Sequence, residues 1–298
     1  MSLDVYRFDR VRVLLSEPTP IFNGAVRSVL HGMGFRIFQN FETVAALREE
    51  FNATAFDLWV TNAELPDGEV FDLINDLRHG RAGREVFMPV IVQSLNVTQA
   101  LAKKTLDSGA DLLWRLPVTG GQINDGIDNL LHRRRPFVVT ADYIGPDRRA
   151  GVRSEGMQIP QVPVPNPLRA KAHPEGIKVD ADEAMGKINQ QKVERVVYQI
   201  GWLMDRIGPV LTSDIENAEA RKFLDRLAFM AQELARRVSS TRFHERADLC
   251  RALLLQARKA VEEKDSKHID LLAHLVQAER RAFGVEAVTA AKPAATAS

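Results

Sequence analysis

The stretch FDLWVTNAELPDG, residues 56–68, decides how the first half of the chain is read. Phe56–Val60 is a short, near-continuous apolar run, the pattern of a strand buried on both faces. Glu64-Leu65-Pro66-Asp67-Gly68 is a turn, and apolar spacing then becomes helical through Leu77. Strand, turn and helix in that order make one βα unit of a parallel sheet.

The same unit recurs on either side. Upstream, Val11–Leu15 is a strand, Ala25–Leu30 a helix ended by Gly32 and Gly34, and Arg36–Phe38 a weak second strand. Thr43–Phe51 is a helix with Thr43 as its N-cap. Downstream, Pro89–Val92 is the fourth strand and Thr98–Leu106 the fourth helix. Leu112–Trp114 is the fifth strand, broken by Pro117, and Ile123–Leu131 is the last helix. Five such units predict an α/β domain over residues 10–135, a flavodoxin-like doubly wound five-stranded parallel sheet, behind a tail at 1–9.

Between Pro136 and Lys178 the periodicity stops and seven prolines appear, which predicts an extended, semi-stiff linker over residues 136–178. Helical spacing follows. Val193, Val196, Val197, Ile200, Leu203, Met204 and Ile207 mark a helix stopped by Gly208-Pro209, and Ser213 caps the next. Two further amphipathic runs, the last ending at Gly284, complete an all-α four-helix bundle over 179–284. The small, polar residues 285–298 predict a disordered tail.

Composition bounds the function. The 298 residues are 45% apolar and 27% charged, ordinary for a globular chain. A net charge of +1 excludes a whole-chain nucleic-acid footprint. Charge is uneven, however: residues 1–131 hold 12 Lys and Arg against 17 Asp and Glu. One cysteine, Cys250, excludes an intramolecular disulfide framework. Without an apolar run of membrane-spanning length or a secretory h-region, the expected location is cytoplasmic. Nothing resembles a phosphate-binding Gly-rich loop, a nucleophile elbow or an HExxH metal motif. No enzyme, cofactor or metal is expected, and no helix-turn-helix reader of DNA.

The order of signals resembles the receiver domains of bacterial response regulators. It is carried by Asp57-Leu58 opening strand three, Pro66 after it, Pro89-Val90-Ile91, Gly109-Ala110-Asp111, Pro117, and the exit Leu130-Leu131-His132-Arg133-Arg134-Arg135. The resemblance implies a phosphoacceptor pocket made of an acidic pair, an acceptor Asp, a Thr or Ser and a Lys. These positions fall here on Ser16-Glu17, Asn62, Ser94 and Leu116. The pocket is degenerate: one carboxylate remains for Mg²⁺, an amide cannot become an acyl phosphate, and Leu116 carries no counter-charge. The aromatic switch position falls on Leu113, with Trp114 beside it. Glu64 and Asp67 are substitute acceptors, but both lie in the turn. The resemblance therefore implies a phosphorylation-independent pseudo-receiver whose partners are signalling proteins.

Residues 132–153, HRRRPFVVTADYIGPDRRAGVR, hold Arg133, Arg134, Arg135, Arg148, Arg149 and Arg153 against Asp142 and Asp147. Guanidinium forks bind phosphate and stack on flat rings, so a cyclic di-nucleotide is one candidate ligand. The other reading is that the arginines pair with the acidic first domain and clamp the linker to it. Part of this run resembles an extension seen after some alphaproteobacterial receiver domains. In the bundle, His244, His268 and His274 are phosphorelay candidates, but none has the Lys-Gly sequel of histidine phosphotransfer modules. Tyr198 and Trp202 lie off the apolar stripe of the first helix and are candidates for a partner or homodimer interface.

Overall fold

Parallel pairing of short apolar strands builds the first unit. The computed structural model describes residues 6–148, 160–173 and 180–285, and they fall into two compact units divided between residues 184 and 185. In the first, β1 (Arg12–Ser16), β2 (Ile37–Asn40) and β3 (Leu58–Asn62) precede a small antiparallel ribbon of β4 (Glu64–Leu65) and β5 (Gly68–Glu69). β6 (Val90–Ser94) and β7 (Leu112–Arg115) complete a parallel sheet of order β2-β1-β3-β6-β7. Helices α1 (Pro20–Gly32), α2 (Val44–Ala53), α3 (Phe71–Arg78), α4 (Gln99–Ser108) and α5 (Gly120–His132) connect the strands. Strand order reverses at β1, which opens a crevice beyond the carboxyl ends of β1 and β3.

Strand alternation feeds two apolar layers. Val13, Leu15, Leu58, Val60 and Ile91 meet α1 and α5, while Leu14, Trp59, Val90 and Val92 meet α2 and α3. Thr43 and Thr98 cap α2 and α4, and Thr119 forms a capping box with Gln122 at α5. The third strand lies two residues later than the sequence suggests. Asp57 stays outside the ladder, accepting the Arg12 backbone N–H at 2.8 Å. Pairing with β1 and β6 instead extends the strand to Asn62.

Residues 136–173 depart from the expected linker. Phe137–Val139 (β8), Ile144–Pro146 (β9) and Gln161–Val162 (β10) form an antiparallel sheet of order β10-β8-β9, and Pro167–Ala172 is a helix, α6. The prolines sit where these elements tolerate them. Pro146 ends a strand, and Pro167 occupies the first turn of α6 behind the N-cap Asn166. Phe137, Val139, Ile144, Val162 and Leu168 are fully buried. Gly109, at φ +96°, lies in the turn after α4, where a Cβ would approach the Ile144 carbonyl within 3.0 Å. Glycine there lets β9 pack close.

The second unit has α7 (Ala181–Ser213), α8 (Ala218–Arg237), α9 (Ala247–Glu263) and α10 (Ser266–Phe283) around one core, with two 3-10 turns between α8 and α9. Contrary to the sequence reading, α7 runs through Gly208-Pro209. Pro209 is exposed, while Ile207 and Leu211 continue the buried stripe; their burial offsets the roughly 3 kcal/mol that an interior proline costs. Ser213 therefore ends α7, and Asn217 caps α8 by accepting the Ala220 N–H. Gly284 closes α10 in the left-handed conformation. Among the described residues no helix is long and apolar enough to cross a membrane.

Candidate functional site

The crevice gathers side chains from the ends of three strands. Glu17, directly after β1, is 3% exposed. Its Oε2 accepts Nδ2–H of Asn62, at the end of β3, at 2.9 Å. The same oxygen accepts Nε2–H of Gln93, on β6, at 2.9 Å. Oε1 takes the Thr19 backbone N–H at 2.9 Å, and Asn62 Oδ1 accepts the Glu64 backbone N–H at 3.2 Å. One carboxylate is thus enclosed by three neutral amide N–H donors, two of them from side chains. A hard divalent cation prefers oxygen ligands, whereas hydrogens converge here on the only carboxylate of the cluster. Among the described residues no group of three or more His, Cys, Asp or Glu could hold a metal.

The other pocket positions are turned to different uses. Ser16 points into the core and accepts the Trp59 indole N–H at 3.1 Å. Ser94 Oγ accepts the Asn96 backbone N–H at 3.2 Å. Leu116 is buried and precedes a cis peptide bond to Pro117. Leu113 packs against one apolar layer and Trp114 lies in the other. Asp67 accepts the backbone N–H groups of Val44 and Ala45 at 2.7 and 3.0 Å. These donors hold its carboxyl below the usual range and tie it to the start of α2. Glu64 is exposed.

The arginines divide among different partners. Arg133 pairs with Asp128 at 2.8 Å, and Arg135 donates to the Asp147 carbonyl at 3.1 Å. Arg134 pairs with Asp111 at 2.7 Å and donates to the carbonyls of Phe87 and Pro165. Arg148 pairs with Asp107 at 3.3 Å and stacks 4.2 Å from the Tyr143 ring centre. Burial pushes the Tyr143 phenol up to about 12. Arg149 and Arg153 lie outside the described residues.

Asp111 also binds a residue that sequence reasoning missed. Arg78 is fully buried and donates to Asp111 at 2.9 Å and to the carbonyls of Gly109, Val86 and Met88. Burial brings its guanidinium down to about 10, against the opposing pull of Asp111. Arg78 and Arg134 both lie over the Phe137 ring, at 5.3 and 5.4 Å. The available signal was Arg78's place on the core stripe Phe71–Ile74–Arg78, where an arginine requires buried partners. Gln93 was also missed; a polar residue in the otherwise apolar run Val90–Val92 was its signal.

On α7, Tyr198 and Trp202 are 46% and 43% exposed, and Arg206 lies 5.7 Å from the Trp202 ring. His268 is held by Gln256 and Glu263, His274 Nδ1 lies 2.7 Å from the Asp270 carbonyl, and His244 is exposed. The three are not brought together in one shared hydrogen-bonded cluster.

No family model matches the chain, and no curated protein matches it. Solved structures similar to its first part include the receiver domain of a sensor histidine kinase from Pseudomonas aeruginosa, with 16% identity and a TM-score of 0.35. That match covers 39% of this chain and 92% of the other. A CheY-like receiver domain protein from Methanospirillum hungatei matches at 18% identity and a TM-score of 0.36, covering 40% and 91%. The chemotaxis protein CheY4 of Vibrio cholerae matches at 13% and 0.36, covering 40% and 97%.

Proposed function

We propose that this chain is a non-enzymatic signal-transduction adaptor whose receiver-like domain works without phosphorylation and docks signalling proteins. The reading rests on the enclosure of Glu17 by Asn62, Gln93 and the Thr19 backbone. For Glu17 to turn onto a cation, it would give up three charge-assisted hydrogen bonds, each worth about 1.5–3 kcal/mol. The amide of Asn62 offers no nucleophilic oxygen for acyl-phosphate formation, and Leu116 offers no cation to the transferred group. The fold then serves as a fixed docking surface. Exposed Tyr198 and Trp202 favour a second contact surface on the helical unit.

The ion pairs and carbonyl contacts of Arg134, Arg135 and Arg148 support a clamp between the 136–173 segment and the sheet domain over a cyclic di-nucleotide site, while Arg133 pairs with Asp128 of α5. The test is intact mass after incubation with Mg²⁺ and a small acyl-phosphate donor. An unchanged mass is expected; addition of a phosphoryl group would overturn the reading.

A further inference from the structure

The segment that packs on the sheet domain encloses a cavity of about 280 Å³ against the end of α5, lined by His132, Arg134, Arg135, Pro163, Val164 and Arg169 among others. Among the described residues its lining includes four basic side chains and no acidic one. Arg134 pairs with Asp111, which it shares with Arg78, and donates to two carbonyls. Arg135, exposed at the rim, and Arg169 are in no ion pair among the described residues. Among the described residues, two positive charges without a carboxylate partner therefore flank the space.

Two buried nitrogens there have no hydrogen-bond partner among the described residues, Arg169 Nε and His132 Nε2. The other ring nitrogen of His132 faces only acceptors, Asp128 Oδ1 at 2.9 Å and the Asp128 carbonyl at 3.2 Å. Nδ1 therefore carries the hydrogen, which fixes the ring and leaves Nε2 to the cavity side. Arg169 is fixed in turn: Asn166 Oδ1 accepts its backbone N–H at 3.2 Å, and Asn166 Nδ2 is anchored to the Leu130 carbonyl at 2.6 Å. Arg169 Nε–H is a buried donor without an acceptor, which is unfavourable, and an anion would satisfy it; His132 Nε2 is left as an acceptor, which the P–OH hydrogen of monohydrogen phosphate would satisfy.

We propose that this cavity binds a small phosphate-bearing anion through His132, Arg135 and Arg169. Arg135, after α5, and Arg169, on α6, approach as donors and His132, on α5, as an acceptor, so polar groups surround a ligand rather than pair with one edge, which suits a tetrahedral oxyanion better than a planar carboxylate. Two free guanidinium charges match a dianion. The cavity is below the usual size of sites for drug-sized ligands, so the ligand is inorganic phosphate or a small monoester.

The test is an NMR titration of the full chain with inorganic phosphate and, separately, glycerol 3-phosphate, following arginine Nε–H signals. Saturable shifts are expected at Arg169 Nε–H and at backbone amides of residues 131–135 and 164–170. Arg169→Gln should weaken binding about tenfold or more, whereas Arg115→Gln, an exposed arginine on β7, should not change it. Tighter binding of the monoester identifies a phosphorylated metabolite as the ligand; tighter or equal binding of phosphate identifies the free ion. Absence of saturation for both, or equal loss in Arg115→Gln, would overturn the proposal. Unchanged circular dichroism and a folded spectrum in Arg169→Gln separate lost binding from lost structure.

Discussion

Asn62 Nδ2–H points at Glu17 Oε2 from 2.9 Å, so the side chain at the end of β3 is a donor to the carboxylate after β1. Changing that donor to a second carboxylate sets two negative groups against each other in a buried site. Asn62→Asp should therefore lower stability by about 1–3 kcal/mol in metal-free buffer, the cost of leaving a buried group unsatisfied. Chemical unfolding followed by fluorescence checks this. The variant should still take up no phosphoryl group, because Leu116 supplies no counter-charge.

Asp111 accepts from Arg78, Arg134 and the Val90 backbone in a site closed to solvent. Asp111→Ala leaves two guanidinium groups without their carboxylate. It should cost about 3–5 kcal/mol, the scale for breaking a buried pair by removing one partner. A loss under about 1 kcal/mol in the same unfolding assay would show that the clamp contributes little.

Glu279 is fully buried on α10 with neither carboxyl oxygen in a hydrogen bond among the described residues. Burial raises it well above its ordinary value of 4.5, against the pull of Arg280. The folded chain then keeps a proton that the unfolded chain releases above about 4.5, so stability falls as pH rises from there towards the folded value. Glu279→Gln should be more stable than the parent at pH 7 and lose that advantage near pH 4, with a slope no steeper than about 1.4 kcal/mol per pH unit. Thermal melts across that range decide it; a pH-independent difference would contradict it.

Trp202 lies 43% exposed under Arg206 on α7. If that face makes the helical unit's contact with a second copy or a partner, Trp202→Ala should weaken association by about 2 kcal/mol, roughly thirtyfold. Helicity should be unchanged. Sedimentation of the full chain over a concentration series measures self-association. A partner-bound complex, once isolated, allows the same comparison by calorimetry.

The sheet was legible because its strands are apolar runs bounded by Pro, Gly and Ser, and because Thr43 and Thr98 announce helix starts. The residues after Pro136 were not. Strands of two or three residues such as Phe137–Val139 have no local pattern, and they form because Phe137 settles beneath Arg78 and Arg134. The resemblance to receiver domains put Glu17, Asn62, Ser94 and Leu116 at the strand ends, but not their partners. Gln93 is 76 residues from Glu17, and charged residues such as Arg78 read as exposed until the elements that bury them are in place. Pro209 misled for the same reason: a local stop signal was overridden by burial of Leu211.

The enclosed Glu17 is tested most directly by its own donors. Side-chain amide signals of Asn62 and Gln93 can be followed by NMR while Mg²⁺ and beryllium fluoride, a phosphoryl mimic, are added to the full chain. The account predicts that both amides and the Ser94 backbone signal stay in place up to millimolar reagent. Saturable movement of Asn62, Gln93 and Ser94 together would show a pocket that opens to cation and phosphoryl group, and would contradict it.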